Sequence, residues 1–199
     1  MAHLEPLARH ELNEELQALF DHYTRTRGFM PNSILTMARR PNISKAFGAL
    51  NQAILYEGTV EVELKMLVSL VSSVASGCLY CQSHMTNLSS IYDASDEKIA
   101  AVWEFESSEL FSEAERAALR VAMKAGQVPN GVTETDFDSL KQYFDEGQIV
   151  EIIASVALFG YLNRWNDTMA TALETLPTEV AERVVGGVGW GPGKHGGGE

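Results

Sequence analysis

Both cysteines of this chain lie in one octapeptide, Gly77-Cys78-Leu79-Tyr80-Cys81-Gln82-Ser83-His84, at positions three apart, with a histidine three further on. Two thiols this close can form one disulfide and reopen it, and an imidazole one helical turn away can take or return the proton each step moves. A cysteine attacks as thiolate, and a free thiol with a pKa of about 8.5 is only a few per cent ionised at neutral pH. If a helix begins just after Gly77, its unpaired N–H groups and dipole favour negative charge on Cys78 and Cys81. His84 then shares a helical face with Cys81. This geometry suggests Cys81 as the thiolate that meets an oxidant and Cys78 as the resolving thiol. The reverse order stays open, because the N-terminal thiol of thioredoxin-like CxxC sites is usually the more acidic.

Other chemistry is compatible with these residues. Cys78, Cys81 and His84 are three acceptable zinc ligands, but the usual second ligand pair is absent, and His3, His10, His22 and His195 lie in segments without zinc spacing. The thiols could also be small buried apolar residues, with His84 a hydrogen-bonded core histidine.

The elements that must position the motif read as helical. Apolar residues recur at helical spacing almost everywhere, and no alternating β-branched run is bounded by hairpin turns. Leu12, Leu16, Leu19 and Phe20 give a first helix ended near Gly28, and Pro31 and Pro41 introduce helices over 32–39 and 42–56. Residues 61–76 place Leu64, Leu67, Val68, Val71 and Val74 on one face until Gly77 breaks the run, and the cysteine motif opens a helix to about Ile91. Ser95 begins another helix, and Ser112-Glu113-Ala114-Glu115 has the form of a capping box ahead of the helix ending at Ala125. Helices over 133–144 and 148–173 follow, with Pro177 ending the last. One helical domain over residues 1–185 and a flexible glycine-rich tail over 186–199 are expected. A slide of 85 residues suggests two degenerate helical repeats, laying Ile149, Ile152, Ile153 and Val156 over Leu64, Leu67, Val68 and Val71. Asn163-Arg164-Trp165-Asn166 then takes the place of the CxxC.

With 199 residues the chain can bury a substantial core, and its net charge of −12 argues against a phosphate backbone or an anionic membrane as main partner. No basic start with an apolar core opens the sequence, and the longest apolar stretches fall short of a membrane span. A cytoplasmic protein is expected, and two cysteines in a reducing compartment are more often catalytic or metal-binding than a structural bridge.

The motif Gly77-Cys78-Leu79-Tyr80-Cys81 followed by His84 resembles that of the carboxymuconolactone decarboxylase-like, or AhpD-like alkylhydroperoxidase, family. Gly28-Phe29-Met30-Pro31-Asn32, residues 112–119 and Phe159-Gly160-Tyr161-Leu162-Asn163-Arg164-Trp165-Asn166 extend the likeness over most of residues 25–176. The resemblance implies an all-α AhpD-like domain that forms homo-oligomers, as dimers, trimers or hexamers, and a dithiol cycle that reduces hydrogen peroxide or small organic hydroperoxides. It implies a dithiol protein as reductant, no metal and no organic cofactor. It also supports Cys81 as the thiol oxidised first. Lactone decarboxylation or isomerisation is the family's other activity, and a non-catalytic redox-sensing oligomer is the reading from a different class.

Two departures stand out. The family glutamate twelve residues before the first cysteine is Met66 here, and the histidine follows Cys81 by three residues rather than four, a place held by Met85. The missing acid is expected at Glu151, the matching place of the second repeat, or at Glu63, or nowhere. The expected catalytic set is therefore Cys78, Cys81, His84 and Glu151.

Overall fold

The computed structural model describes residues 1–196. Ten α-helices follow one another among them, with no strand: α1 Glu14–Arg27, α2 Asn32–Met37, α3 Pro41–Leu55, α4 Val62–Ser76, α5 Leu79–Ile91, α6 Asp96–Ala100, α7 Glu113–Ala125, α8 Glu134–Leu140, α9 Glu146–Met169 and α10 Thr175–Val185. Local chemistry sets most of the boundaries. Asn13 caps α1 by accepting from Leu16 N, and the chain leaves α1 through Gly28 in the left-handed region. At α7 the expected capping box forms between Ser112 and Glu115.

The centre of the fold is α4. Every residue from Leu64 to Ser73 is buried, and the helix packs against α5, α7 and α9. A helix enclosed this way gains about 1.5–3 kcal/mol for each large apolar side chain removed from water. Two of its serines bond back within the helix, Ser69 Oγ donating to Lys65 O at 2.7 Å and Ser73 Oγ to Ser69 O at 2.8 Å.

The second suggested repeat differs from the first in construction. Helix α4 stops at Gly77 and α5 restarts at Leu79, whereas α9 runs unbroken from Glu146 to Met169. The last helix was also missed in the sequence. α9 ends at Met169, with Ala170 at φ +48° as its cap, and Pro177 stands in the first turn of α10 rather than after a helix.

The glycine-rich end is a correction. Residues 186–196 form two short 3-10 turns that fold back on the domain instead of remaining flexible; 197–199 lie outside the described residues. Trp190 is buried and donates from Nε1 to Leu79 O at 3.2 Å, and Leu173 N donates to His195 O at 2.9 Å. Lys194 pairs with Asp167 at 2.8 Å. The glycines let this strap follow the domain surface, while Trp190 and His195 supply the buried area that composition alone does not reveal. Among the described residues no helix is long and apolar enough to cross a membrane.

Candidate active site

Gly77, at φ +71° and ψ +16°, ends α4 in the left-handed conformation that glycine adopts without a Cβ clash. Cys78 N then donates back to Ser73 O at 3.2 Å, and the same residue is the N-cap of α5. Its sulfur takes the capping role, accepting from Cys81 N at 3.4 Å. The break at Gly77 therefore places one thiol at a helix N-terminus and the other in its first turn, as expected from the sequence. Both thiols are free and buried.

Their surroundings differ. Cys81 lines a small cavity of about 70 Å³ together with His84, Tyr80, Asn166, Phe47 and Phe159; Cys78 does not line it. Asn166 Nδ2 donates to Cys81 Sγ at 3.4 Å. Burial pushes the Cys81 thiol well above its ordinary pKa, reinforced by Cys78, while the Asn166 hydrogen bond opposes the rise. The expectation that the helix start favours the Cys81 thiolate is offset here, because in this buried position desolvation is the largest effect. Attack by Cys81 requires a neighbouring base to take its proton.

His84 also lines the cavity, and its ring stacks on Tyr80 with centroids 4.3 Å apart. Its Nε2 lies 2.6 Å from Glu174 Oε2. Tyr80 donates its hydroxyl hydrogen to Glu174 Oε1 at 2.9 Å, and Asn32 N donates to the same oxygen. Burial pushes the Glu174 carboxyl up, but the facing His84 and the Asn32 N–H outweigh it and hold it below the ordinary carboxylate value. The Glu174 carboxylate faces Nε2, so Nδ1 is the ring nitrogen this acid does not engage. Phe29 sets its edge against the imidazole at 5.7 Å, and Pro31 of the same segment lines the cavity.

The structure gathers Cys78, Cys81 and His84 and leaves Glu151 elsewhere. Glu151 pairs with the buried Lys65 at 2.7 Å and accepts from Thr59 N and Val60 N at 2.9 and 3.0 Å. Gly58, at φ +95°, lets the 57–60 loop close on this carboxylate, since a Cβ there would strike it. Lys65 and the two N–H groups outweigh desolvation and hold Glu151 at about 2. Such an acid balances a buried ammonium, and none of its hydrogen bonds goes to a thiol or to His84. Glu63 is likewise engaged, by Lys98 at 2.8 Å. Glu174, at the N-cap of α10, holds the acidic place beside His84. Its only sequence signal was an acid directly before Thr175-Leu176-Pro177, the start of an unrecognised helix.

Of the aromatic segment in α9, only Asn166 reaches a thiol; Arg164 and Trp165 line an outer groove of about 600 Å³ instead. Asn166 and Cys81 are 85 residues apart, so positions matched by the repeat slide are in contact. Among the described residues no group of three or more histidine, cysteine, aspartate or glutamate side chains is arranged to hold a metal ion.

An all-helical domain with a CxxC at a helix start and a His–Glu pair at a closed cavity has the architecture of the AhpD-like fold. The chain belongs to the carboxymuconolactone decarboxylase family, whose profile matches residues 41–124. It is similar to the debrominase Bmp8, with 35% identity, a TM-score of 0.83, and coverage of 90% of this chain and 96% of that one. A cysteine-to-alanine variant of Bmp8 in complex with 2,3,4-tribromopyrrole matches at 34% identity and TM-score 0.83, with the same coverage. The alkylhydroperoxidase AhpD core protein from Ralstonia eutropha JMP134, an uncharacterized peroxidase-related protein, shares the fold at 24% identity and TM-score 0.80, covering 88% of this chain and 94% of its own. No curated protein sequence matches the chain.

Proposed function

We propose that this protein is a dithiol-dependent reductase of small organic electrophiles, with organic hydroperoxides as the first substrate class. The observation that carries this is the unequal placement of the thiols: Cys81 lines the cavity, while Cys78 lies outside it at the N-cap of α5, its sulfur accepting from Cys81 N. His84 Nδ1 takes the Cys81 proton. The thiolate attacks the terminal peroxide oxygen, the O–O bond breaks, and the alkoxide leaves as alcohol with the returned proton, giving a sulfenic acid on Cys81. Cys78 attacks that sulfur, the S–S bond forms and water leaves. Both thiols are then oxidised by two electrons in total, and an external dithiol protein restores them by exchange.

A second reading, reductive dehalogenation of a small aromatic, is favoured by the likeness to Bmp8 and by the aromatic cavity wall of Tyr23, Phe47, Tyr56 and Phe159. The same two thiols would supply two electrons and two protons, replacing C–Br by C–H with loss of hydrogen bromide and closure of the disulfide.

The test gives the reduced protein dithiothreitol with cumene hydroperoxide or with 2,3,4-tribromopyrrole and follows hydroperoxide loss or bromide release. Many turnovers of hydroperoxide, abolished in Cys81→Ser, support the first reading, and bromide release alone shifts the assignment to the second. A single equivalent of oxidation without turnover marks a redox sensor and removes both. We also propose a homo-oligomer, since Val150, Ala157 and Tyr161 leave one apolar side of α9 exposed.

A further inference from the structure

Arg27 stands where the inner cavity meets the surface. The 70 Å³ chamber that touches Cys81 shares Tyr23, Arg27, Ile34, Phe47, Asn51 and Tyr56 with an outer vestibule of about 620 Å³ between α1 and α3. A molecule entering from the vestibule passes the guanidinium before it reaches the thiol.

That guanidinium is half-buried and, among the described residues, lacks a counter-charge. It makes one hydrogen bond among the described residues, donating from Nη2 to Tyr56 Oη at 3.0 Å, and no carboxylate lies within ion-pair distance. Its carbon lies 5.1 Å from the Tyr23 ring centre and 5.6 Å from that of Tyr56, so two aromatic faces hold it in place. Burial pushes the Tyr56 hydroxyl up, which keeps it a neutral phenol and supplies no negative charge. A guanidinium carries five N–H donors in a planar fork suited to carboxylate or another oxyanion. A cation removed from water, held rigidly and left without an acidic partner interacts strongly with an anion brought beside it.

We propose that Arg27 is an anion-binding specificity residue on the path to Cys81, and that the substrate is a small apolar molecule carrying one negative charge. The proposal rests on the reading of Cys81 as the thiol that meets substrate and adds the charge of that substrate. It fits an apolar chamber whose mouth holds Arg27, while Lys45, farther out in the vestibule, is paired with Glu15.

Alkylation of the reduced protein tests it without any turnover. Iodoacetate and iodoacetamide are nearly equal in size and differ in charge, and peptide mapping gives the rate at Cys81 for each. Relative to 2-mercaptoethanol, the iodoacetate-to-iodoacetamide rate ratio is expected to rise about tenfold at Cys81, to collapse in Arg27→Met and to be largely kept in Arg27→Lys. The net charge of −12 repels anions at long range, so a raised ratio reports the local cation. In the wild type alone, benzoate should slow iodoacetamide alkylation of Cys81 and benzamide should not, which keeps the test open if Arg27→Met does not fold. A wild-type ratio no higher than the reference, a ratio unchanged in Arg27→Met, or equal protection by benzoate and benzamide overturns the proposal. Absence of hydroperoxide or bromopyrrole turnover bears on the reductase reading instead, since alkylation requires neither reaction.

Discussion

His84 and Glu174 meet at 2.6 Å across 90 residues of chain, and Tyr80 and Asn32 hold the carboxylate from its other oxygen. Three helices, α2, α5 and α10, thus fix one imidazole. Glu174→Gln preserves the shape of this contact but removes the charge that orients and supports the ring. Proton transfer by a positioned base typically contributes 10²–10⁴-fold, so kcat should fall by about 10²-fold with both thiols still titratable. A loss confined to KM would place Glu174 in substrate binding instead, and full activity would remove it from the relay.

Glu151→Gln should do the opposite. Its loss strips the buried Lys65 of its counter-charge, which costs on the order of 3 kcal/mol of stability, while turnover per folded molecule stays at the wild-type level. The pH dependence follows from sign. Glu151 and Asp136 are held at about 2, below their ordinary values of 4.5 and 3.8. Each therefore adds stability that is fully present above its unfolded value and disappears as pH falls through the window to about 2, on the order of 3 kcal/mol for Glu151 and on the order of 2 kcal/mol for Asp136. Denaturation midpoints of wild type and Glu151→Gln should converge as pH drops from 5 toward 2. A constant gap would show that the Lys65 pair is not its source.

The contrast between these two acids shows what the sequence could and could not convey. Gly28, Gly77 and the Ser112–Glu115 box are local signals, and the helices they bound are where the spacing puts them. The CxxC and His84 were legible because one helix start positions all three. Glu174 and Arg27 make their contacts with residues far along the chain, and nothing in their own neighbourhoods marks them; Asn166 was marked only by the repeat slide and the family likeness. Glu151 attracted attention because it interrupts an apolar run, but the cause lies in α4, where Lys65 needs an anion. The glycine-rich end misled for a related reason: composition reports the backbone freedom of the strap and not the pocket that receives Trp190.

The order of the thiols can be read directly. In Cys78→Ser, one equivalent of hydroperoxide should leave a sulfenic acid on Cys81 that dimedone traps, because Cys81 lines the cavity and its resolving partner is gone. In Cys81→Ser, trapping on Cys78 should be at least tenfold slower, since that sulfur lies outside the cavity and caps the helix. Equal trapping in the two variants would reverse the assignment.

In the proposed cycle, the strap bears on how a Cys78–Cys81 disulfide would be reduced again. Cys78 has no exposed surface, and the cavity reaches only Cys81, so a dithiol protein cannot touch the S–S bond while the domain is closed. Residues 186–196 lie over the start of α5, where Trp190 bonds Leu79 O and Lys194 pairs with Asp167. Trp190→Ala removes a large buried side chain at a cost of about 3–5 kcal/mol if the gap does not collapse, and most of that loss should appear as local opening of the strap. Cys78 should then react with a disulfide reagent such as DTNB at least tenfold faster, at a denaturant concentration where global unfolding is negligible. Lys194→Ala should give a smaller increase, because half-exposed pairs contribute little. If Cys78 reactivity tracks global stability alone in both variants, the strap is part of the cooperative core, and access to the disulfide must come from motion elsewhere.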